Sequence, residues 1–315
     1  MINAEHMLLD EISFKIMTEL CQDGRYSNAK LAQKLGINVS TVSKRTRSML
    51  QNGVIVIRAI PNPVKMGYVS NAFIGLSIDP RKIEEIRKQL MENPHVNLMV
   101  NCFGRFDILL LVYLRKREML HDFLREDLPR IKGINQIETF FISEAKKWYD
   151  GTFEDNKNGE EITLDETDDK LIRELMRNGR ANFADLAGNL GVSISTVSKR
   201  IDSLIKDDIL KIIAIPNPSK LGYSVDAYVT VRCELDKLNS ICNRLSSFIE
   251  IYLVMTLMNG YDILFGIHAL NPDSLYQFLQ TNITPIDGIL HTETFIRGNY
   301  LYLSPDALFP PVKKS

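Results

Sequence analysis

Histidine and cysteine, the side chains most often recruited for chemistry, are scarce in this chain. The five histidines are His6, His95, His121, His268 and His291, and no two of them are close in sequence. Gly-x-Ser-x-Gly, the phosphate-cradling loop, His-Glu-x-x-His and Gly-x-Gly-x-x-Gly are all missing. With neither acid–base pairs nor nucleophile patterns, the chain is expected not to be an enzyme and to carry no cofactor or metal. The four cysteines, Cys21, Cys102, Cys233 and Cys242, contain no Cys-x-x-Cys pair. A disulfide framework or zinc site is therefore not expected, and reduced thiols in a cytoplasmic protein are. The longest apolar run, Ile108–Leu114, is far too short to span a bilayer. The first ten residues include Glu5 and Asp10 and have no secretory pattern. Strong net charge is lacking too, at −1 over 315 residues.

What the chain does have is a repeat. Ser40-Thr41-Val42-Ser43-Lys44-Arg45 returns unchanged as Ser195-Thr196-Val197-Ser198-Lys199-Arg200. Aligning 9–63 with 164–218 needs no gap and matches 26 of 55 positions. Further on, Gly67-Tyr68 matches Gly222-Tyr223, Asp107 matches Asp262, and Glu138-Thr139-Phe140 matches Glu293-Thr294-Phe295. None of the histidines recurs at this offset, so the duplication preserves no histidine chemistry.

The repeated hexapeptide sits where a helix is expected. Gly36 and Gly191 supply turns, and Asn38 and Ser193 are placed to cap the first free N–H groups. Val42 and Leu50, like Val197 and Leu204, are expected to point inward. Ser40, Thr41, Ser43, Lys44 and Arg45 are left for the outer face, as are Ser195, Thr196, Ser198, Lys199 and Arg200. Hydroxyls and cations near a helix N-terminus suit the phosphates and base edges of double-stranded DNA. Arg47 is expected to face phosphates as well, whereas its counterpart Asp202 would repel them. Charge is uneven in the same sense: residues 1–68 hold nine Lys and Arg against five Asp and Glu, and residues 164–223 hold nine of each. The first reading helix is therefore expected to supply more of the salt-dependent affinity.

Around the hexapeptide each copy begins as a helix-turn-helix. Asp10 caps a helix carrying Ile12, Ile16 and Leu20 inward, and Gly24 is expected to end it. Ser27 (Asn182 in the copy) caps a short second helix. Val54-Ile55-Val56-Ile57 reads as a strand or wing, broken by Pro61-Asn62-Pro63. The second segment runs strand (72–78), helix from Pro80, strand (96–103), strand (106–114), helix (119–128) and strand (134–142). The copy repeats it over 225–233, 236–247, 251–258, 261–269, 272–281 and 289–297. That order is the split β-α-β of ferredoxin-like domains. The expected fold is thus α+β, a tandem repeat of winged helix-turn-helix plus ferredoxin-like βαββαβ domain. Domains are expected at 1–66, 67–149, 164–221 and 222–303, with an acidic linker at 150–163 and an irregular tail at 304–315.

Asp10-Glu11, Leu31-Ala32 before Gly36, the hexapeptide, Gly53-Val54-Ile55 and Gly104-x-x-Asp107 together resemble the Lrp/AsnC family of transcriptional regulators. The resemblance implies a DNA-binding regulator. It also implies dimerisation through the regulatory sheet, so a homo-oligomer, and small effectors, often amino acids, bound between regulatory domains. This chain holds two such units and looks like a covalent pseudo-dimer. Gly104, Arg105 and Asp107 then read either as a tight hairpin or as a loop closing an effector pocket, where a carboxylate meets an ammonium group. In the copy, Asn259, Gly260 and Asp262 have the glycine moved by one place. Two rivals remain: a tetrapyrrole decarboxylase-like enzyme of the same fold, and a ligand-sensing assembly protein without DNA binding. The hexapeptide kept in both copies speaks against the first.

Overall fold

The computed structural model describes residues 9–148 and 164–303. The expected linker and tail lie outside the described residues. The first copy runs α1 (Glu11–Gln22), α2 (Asn28–Leu35), α3 (Val39–Gln51), β1 (Ile55–Pro61), β2 (Ser70–Ile78), α4 (Ile83–Glu92), β3 (Val96–Phe103), β4 (Ile108–Leu114), α5 (Arg117–Asp122), α6 (Leu128–Arg130) and β5 (Ile134–Trp148). The second runs α7 (Glu166–Arg177), α8 (Phe183–Leu190), α9 (Ile194–Lys206), β6 (Leu210–Pro216), β7 (Val225–Cys233), α10 (Leu238–Ser246), β8 (Ile251–Leu257), β9 (Ile263–Ala269), α11 (Pro272–Phe278) and β10 (Ile289–Leu303). These elements form two units, each assembled from both copies.

One unit holds both helix-turn-helix segments. Asp10 caps α1 by accepting the Ser13 N–H, and Asp165 caps α7 through a reciprocal box with Asp168. The inward face of α1 is Ser13, Ile16, Met17, Leu20 and Cys21, whereas Ile12, expected inside, is exposed. The strand expected as a wing finds its partner in the other copy: β1 pairs antiparallel with β6, Ile55 opposite Pro216 through Pro61 opposite Leu210. The helices cross over as well, α1 packing on β6 and α7 on β1. Gly24 does not end α1, which stops at Gln22 with Asp23 already extended. Gly24 is needed for close approach: a Cβ there would lie 2.8 Å from Ile57 Cγ2 and 3.0 Å from the Ile213 carbonyl carbon. Its N–H donates to Ile212 O at 2.7 Å, and Gly179 N–H donates to Ile57 O at 2.9 Å in the matching place.

The other unit is a closed eight-stranded barrel ordered β10-β3-β4-β2-β5-β8-β9-β7. Each copy contributes four antiparallel strands. The two halves are sewn together where β5 pairs with β8 and β10 with β3. Side chains alternate across each strand. One face of β2 and β4 (Ile74, Leu76, Ile108, Leu110) packs under α4 through Ile86 and Leu90. The other face joins the barrel interior, where Phe73, Phe106, Phe140, Tyr228, Tyr261 and Phe295 meet from both copies. The strands β5 and β10 extend past the expected 142 and 297, because their extra length is what pairs with the opposite copy. The helix expected at 119–128 is broken into α5, a π turn over Phe123–Asp127, and α6. The second copy has the same π turn over Leu279–Ile283. Each widening comes just before a proline, Pro129 or Pro285, which has no N–H to continue the ladder.

Candidate nucleic-acid interface and regulatory loops

The reading helices are built alike. Gly36 and Gly191 close α2 and α8 in the left-handed conformation, at φ 66° and 68°. Asn38 Oδ1 accepts the Ser40 N–H at 3.1 Å, and Ser193 Oγ accepts the Thr196 N–H at 3.1 Å, so both caps form as the sequence implies. Val42, Thr46 and Met49 anchor α3; Val197, Ile201 and Leu204 anchor α9. Leu50, expected inward, is only half-buried. The inward position is Met49, one residue earlier and the true counterpart of Leu204. The outer stripe of α3 is Ser40, Lys44 and Arg47, and that of α9 is Ser195, Lys199 and Asp202, all exposed. Thr41, Ser43, Thr196 and Ser198 are half-exposed on the flanks.

The two arginines of the hexapeptide are already engaged within their own modules. Arg45 pairs with Asp10, and Arg200 Nη1 lies 2.8 Å from Asp165 and 2.7 Å from Asp168. Asp10 and Asp165 are held below the usual carboxylate range, first by the N–H groups they cap and further by these arginines. Arg45 and Arg200 thus tie each reading helix to the first helix of its module. Asp202 also has a cationic neighbour, since its charge acts on Arg25 of the other copy.

In the barrel, Gly104 adopts φ 135° and Gly260 φ 74°. Neither carboxylate points into an open loop. Asp107 Oδ2 accepts the Ile78 N–H at 2.8 Å, and Asp262 Oδ2 accepts the Cys233 N–H at 2.8 Å, so each fastens its hairpin to the neighbouring strand. Arg105 reaches across the copies. It pairs with Glu138, lies 3.7 Å from Glu293, and donates to the Tyr261 hydroxyl at 3.4 Å. Asn259 stands where the first copy has Gly104. Its amide donates to Thr139 O at 2.6 Å and its carbonyl accepts the Phe141 N–H at 3.0 Å. Gly104 thus has no side chain where Asn259 bridges to the opposite copy, and a Cβ at Gly104 would lie 3.6 Å from both the Phe295 ring and Thr294 O. Glu138, Glu293 and Tyr261 are not among the residues expected from the sequence, although the matched Glu-Thr-Phe triplets mark the two glutamates.

A second cluster is likewise unexpected from the sequence. Asp226 accepts the Tyr252 hydroxyl at 2.9 Å and pairs with Arg297 at 2.7 Å and with His268 at 3.3 Å. The His268 ring stacks on Tyr252 at 4.2 Å. The first copy has Asn71, Asn97, Tyr113 and Ile142 at these places. The signal for this cluster is the contrast between the copies, at positions where the repeat does not match.

Among the described residues no helix is long and apolar enough to cross a membrane. A winged helix-turn-helix DNA-binding model matches residues 9–56, and an AsnC-type helix-turn-helix domain matches 164–205. The Lrp/AsnC ligand binding domain matches twice, at 71–150 and 226–298. An uncharacterized HTH-type transcriptional regulator of Pyrococcus furiosus is 36% identical over 142 residues, spanning 96% of that protein and 45% of this chain. HTH-type transcriptional regulator FL11 of Pyrococcus abyssi is 31% identical over 136 residues, 89% of its length and 43% of this one. Each relative thus corresponds to one copy. Over both copies together, the crystal structure of the siroheme decarboxylase NirDL superposes with a TM-score of 0.68 on 92% of each chain. At 15% identity that likeness is one of fold alone. Matched domain by domain and in both halves, the chain belongs to the Lrp/AsnC family of transcriptional regulators, with two tandem family units in one polypeptide.

Proposed function

We propose that the chain is a sequence-specific DNA-binding transcriptional regulator in which a single polypeptide supplies a pair of reading heads. The observation that carries this is the matched pair of reading helices within one unit. Ser40, Lys44 and Arg47 on α3, and Ser195 and Lys199 on α9, are exposed on helices whose opposite faces are anchored in the core. Asn38 and Ser193 preset the first turns, whose remaining N–H groups are available to phosphate. Thr41, Ser43, Thr196 and Ser198 flank the stripes, and Arg45 and Arg200 hold the stripes in place. A pair of such helices suits successive major grooves on a partly palindromic site.

The ligand side of this reading is a small effector, such as an amino acid, acting at the junction between the two regulatory segments. The first loop, Gly104 with Arg105 and Asp107, is the better candidate. The loop of Asn259, Gly260 and Asp262 is closed by Asn259 itself. An effector shifts DNA affinity only through its differential affinity for two states of the protein. We read the protein as cytoplasmic, non-enzymatic and able to form homo-oligomers. The relatives that match by sequence carry regulator names, which favours DNA over the chemistry of the decarboxylase that shares the fold.

The test is DNA selection in vitro by the full chain, followed by binding at several salt concentrations. A recovered consensus, with affinity falling steeply with salt, supports the reading. Equal affinity for selected and unselected duplexes at low salt overturns it.

A further inference from the structure

Gly24-Arg25 and Gly179-Arg180 are identical in the two copies, yet neither arginine lies on a reading helix. Each reaches the backbone of the opposite copy. Arg25 Nη1 donates to Gly179 O at 3.1 Å, and its guanidinium lies 4.5 Å from the centre of the Phe183 ring. Arg180 Nε donates to Gly24 O at 2.7 Å and its Nη2 to Tyr26 O at 3.0 Å. Both side chains are half-buried, and that burial holds the two guanidinium groups below their usual pKa. They sit beside the centre of the β1·β6 ribbon, where Gly24 and Gly179 press onto Ile213 and Arg58.

We infer that Arg25 and Arg180 are positioning residues that fix the angle between the two modules and hence the spacing at which the reading helices meet DNA. The inference rests on the DNA-binding reading above. Two-stranded ribbons tolerate a wide range of twist. Reading helices of a pair stand about 34 Å apart, so each lies roughly 17 Å from the axis between them. Adding one base pair turns a half-site by roughly 35° about the duplex axis and shifts it by about 3.4 Å, so a fixed angle between the modules favours one spacing and a loose angle tolerates several. Close approach of the two glycines and the two arginine latches at the axis remove that freedom. A lysine would keep the charge but lose the planar fork with which Arg180 spans two carbonyls.

The test uses the full chain on duplexes it has itself selected from a random library, with the spacer between half-sites lengthened or shortened by one and two base pairs. The wild type is expected to lose about tenfold in affinity for a one-base-pair change. Arg25→Ala with Arg180→Ala is expected to flatten that profile to within about threefold, with little change in affinity for a single half-site and an unchanged salt slope. Arg25→Lys with Arg180→Lys, the milder change, is expected to give an intermediate profile and serves if the alanine pair does not fold. A lower melting temperature with an unchanged spacing profile would mean that the arginines are merely structural, and would overturn the inference. A wild type that selects sequences but ignores spacing overturns it as well. A wild type that selects no sequence at all instead removes the DNA-binding reading beneath it.

Discussion

Arg58 and Ile213 face each other across the β1·β6 ribbon, and they are also each other's counterparts in the repeat. An antiparallel pair whose central partners are equivalent has a local twofold axis through that point. The two reading heads are therefore related as the halves of a symmetric dimer would be, while belonging to one chain. The axis is only approximate in chemistry. One side presents a cation and the other a buried isoleucine, and the same inequality runs outward to Arg47 and Asp202.

That inequality predicts unequal heads. Removing a cation that neutralises one phosphate lowers the slope of log affinity on log salt by about 0.9. Lys44→Ala with Arg47→Ala should therefore lower the slope by about 1.8, and Lys199→Ala by about 0.9. Asp202→Arg should raise it. Fluorescence anisotropy across a salt series reads all three, and a larger effect from Lys199→Ala than from the double variant would reverse the ranking.

The hexapeptide arginines should behave differently from the lysines beside them. Arg45 is partnered by Asp10, and Arg200 by Asp165 and Asp168. The Arg45–Asp10 pair is exposed, and such pairs are worth below about 1 kcal/mol. Arg45→Ala is accordingly expected to cost a fraction of that in urea unfolding and to leave the salt slope unchanged. The pH dependence has a definite sign. Asp10 and Asp165 are depressed in the folded chain, so their contribution is present above the ordinary carboxylate value of about 3.9 and fades as pH falls through the lower folded values. Asp10→Asn with Asp165→Asn, which keeps the caps, should flatten that part of the acid unfolding curve as followed by circular dichroism.

Much of this architecture is written in local pattern. The caps at Asp10, Ser27, Asn38 and Ser193 follow from one side chain and the N–H two or three residues on, so short range suffices. Helical phase is less secure, because a slip of one residue exchanges Leu50 for Met49 and Ile12 for Ser13. What local pattern does not carry is partnership between copies. Gly24 reads as a helix stop until Ile57 and Ile213 are brought against it. The strand after α3 reads as a wing, and only the fold adds its pairing with β6. Arg45 reads as a DNA contact, and only the fold adds its pairing with Asp10. Each addition has one cause, a partner far along the chain.

The cysteines supply a prediction about access. All four are buried thiols. Desolvation is the main cause that pushes Cys102 and Cys242 up to about 12 and Cys233 up to about 11. Thiolate is the reactive form, so native protein at pH 8 should react slowly with an alkylating reagent. Unfolding of the barrel in urea should release Cys102, Cys233 and Cys242 together, and unfolding of the other unit should release Cys21. Mass spectrometry of pulse-labelled protein measures this, and rapid native labelling of Cys102 would contradict its placement in the barrel interior.

The Asp226 cluster gives the sharpest stability test. Its carboxylate accepts the Tyr252 hydroxyl and lies within ion-pairing distance of Arg297 and His268, all on the second half of the barrel. Arg297 also lies opposite Cys102 where β10 crosses to β3, so the cluster sits at a seam between the copies. Removing one member of a fully buried pair leaves the other charge uncompensated, at a cost of about 3–5 kcal/mol. The Asp226 and Arg297 side chains are 11% and 21% exposed, so Asp226→Ala should destabilise the chain by less than that, by about 2 kcal/mol. Asp226→Asn installs the residue that the first copy carries as Asn71, but there the neighbours are Asn97, Tyr113 and Ile142 rather than an arginine and a histidine. If the charge is what matters, Asp226→Asn alone should cost nearly as much as Asp226→Ala, and adding Arg297→Ile should recover part of the stability by removing the stranded cation. A double-mutant cycle in urea reads that coupling directly, and additive effects would show that Arg297 does not depend on Asp226.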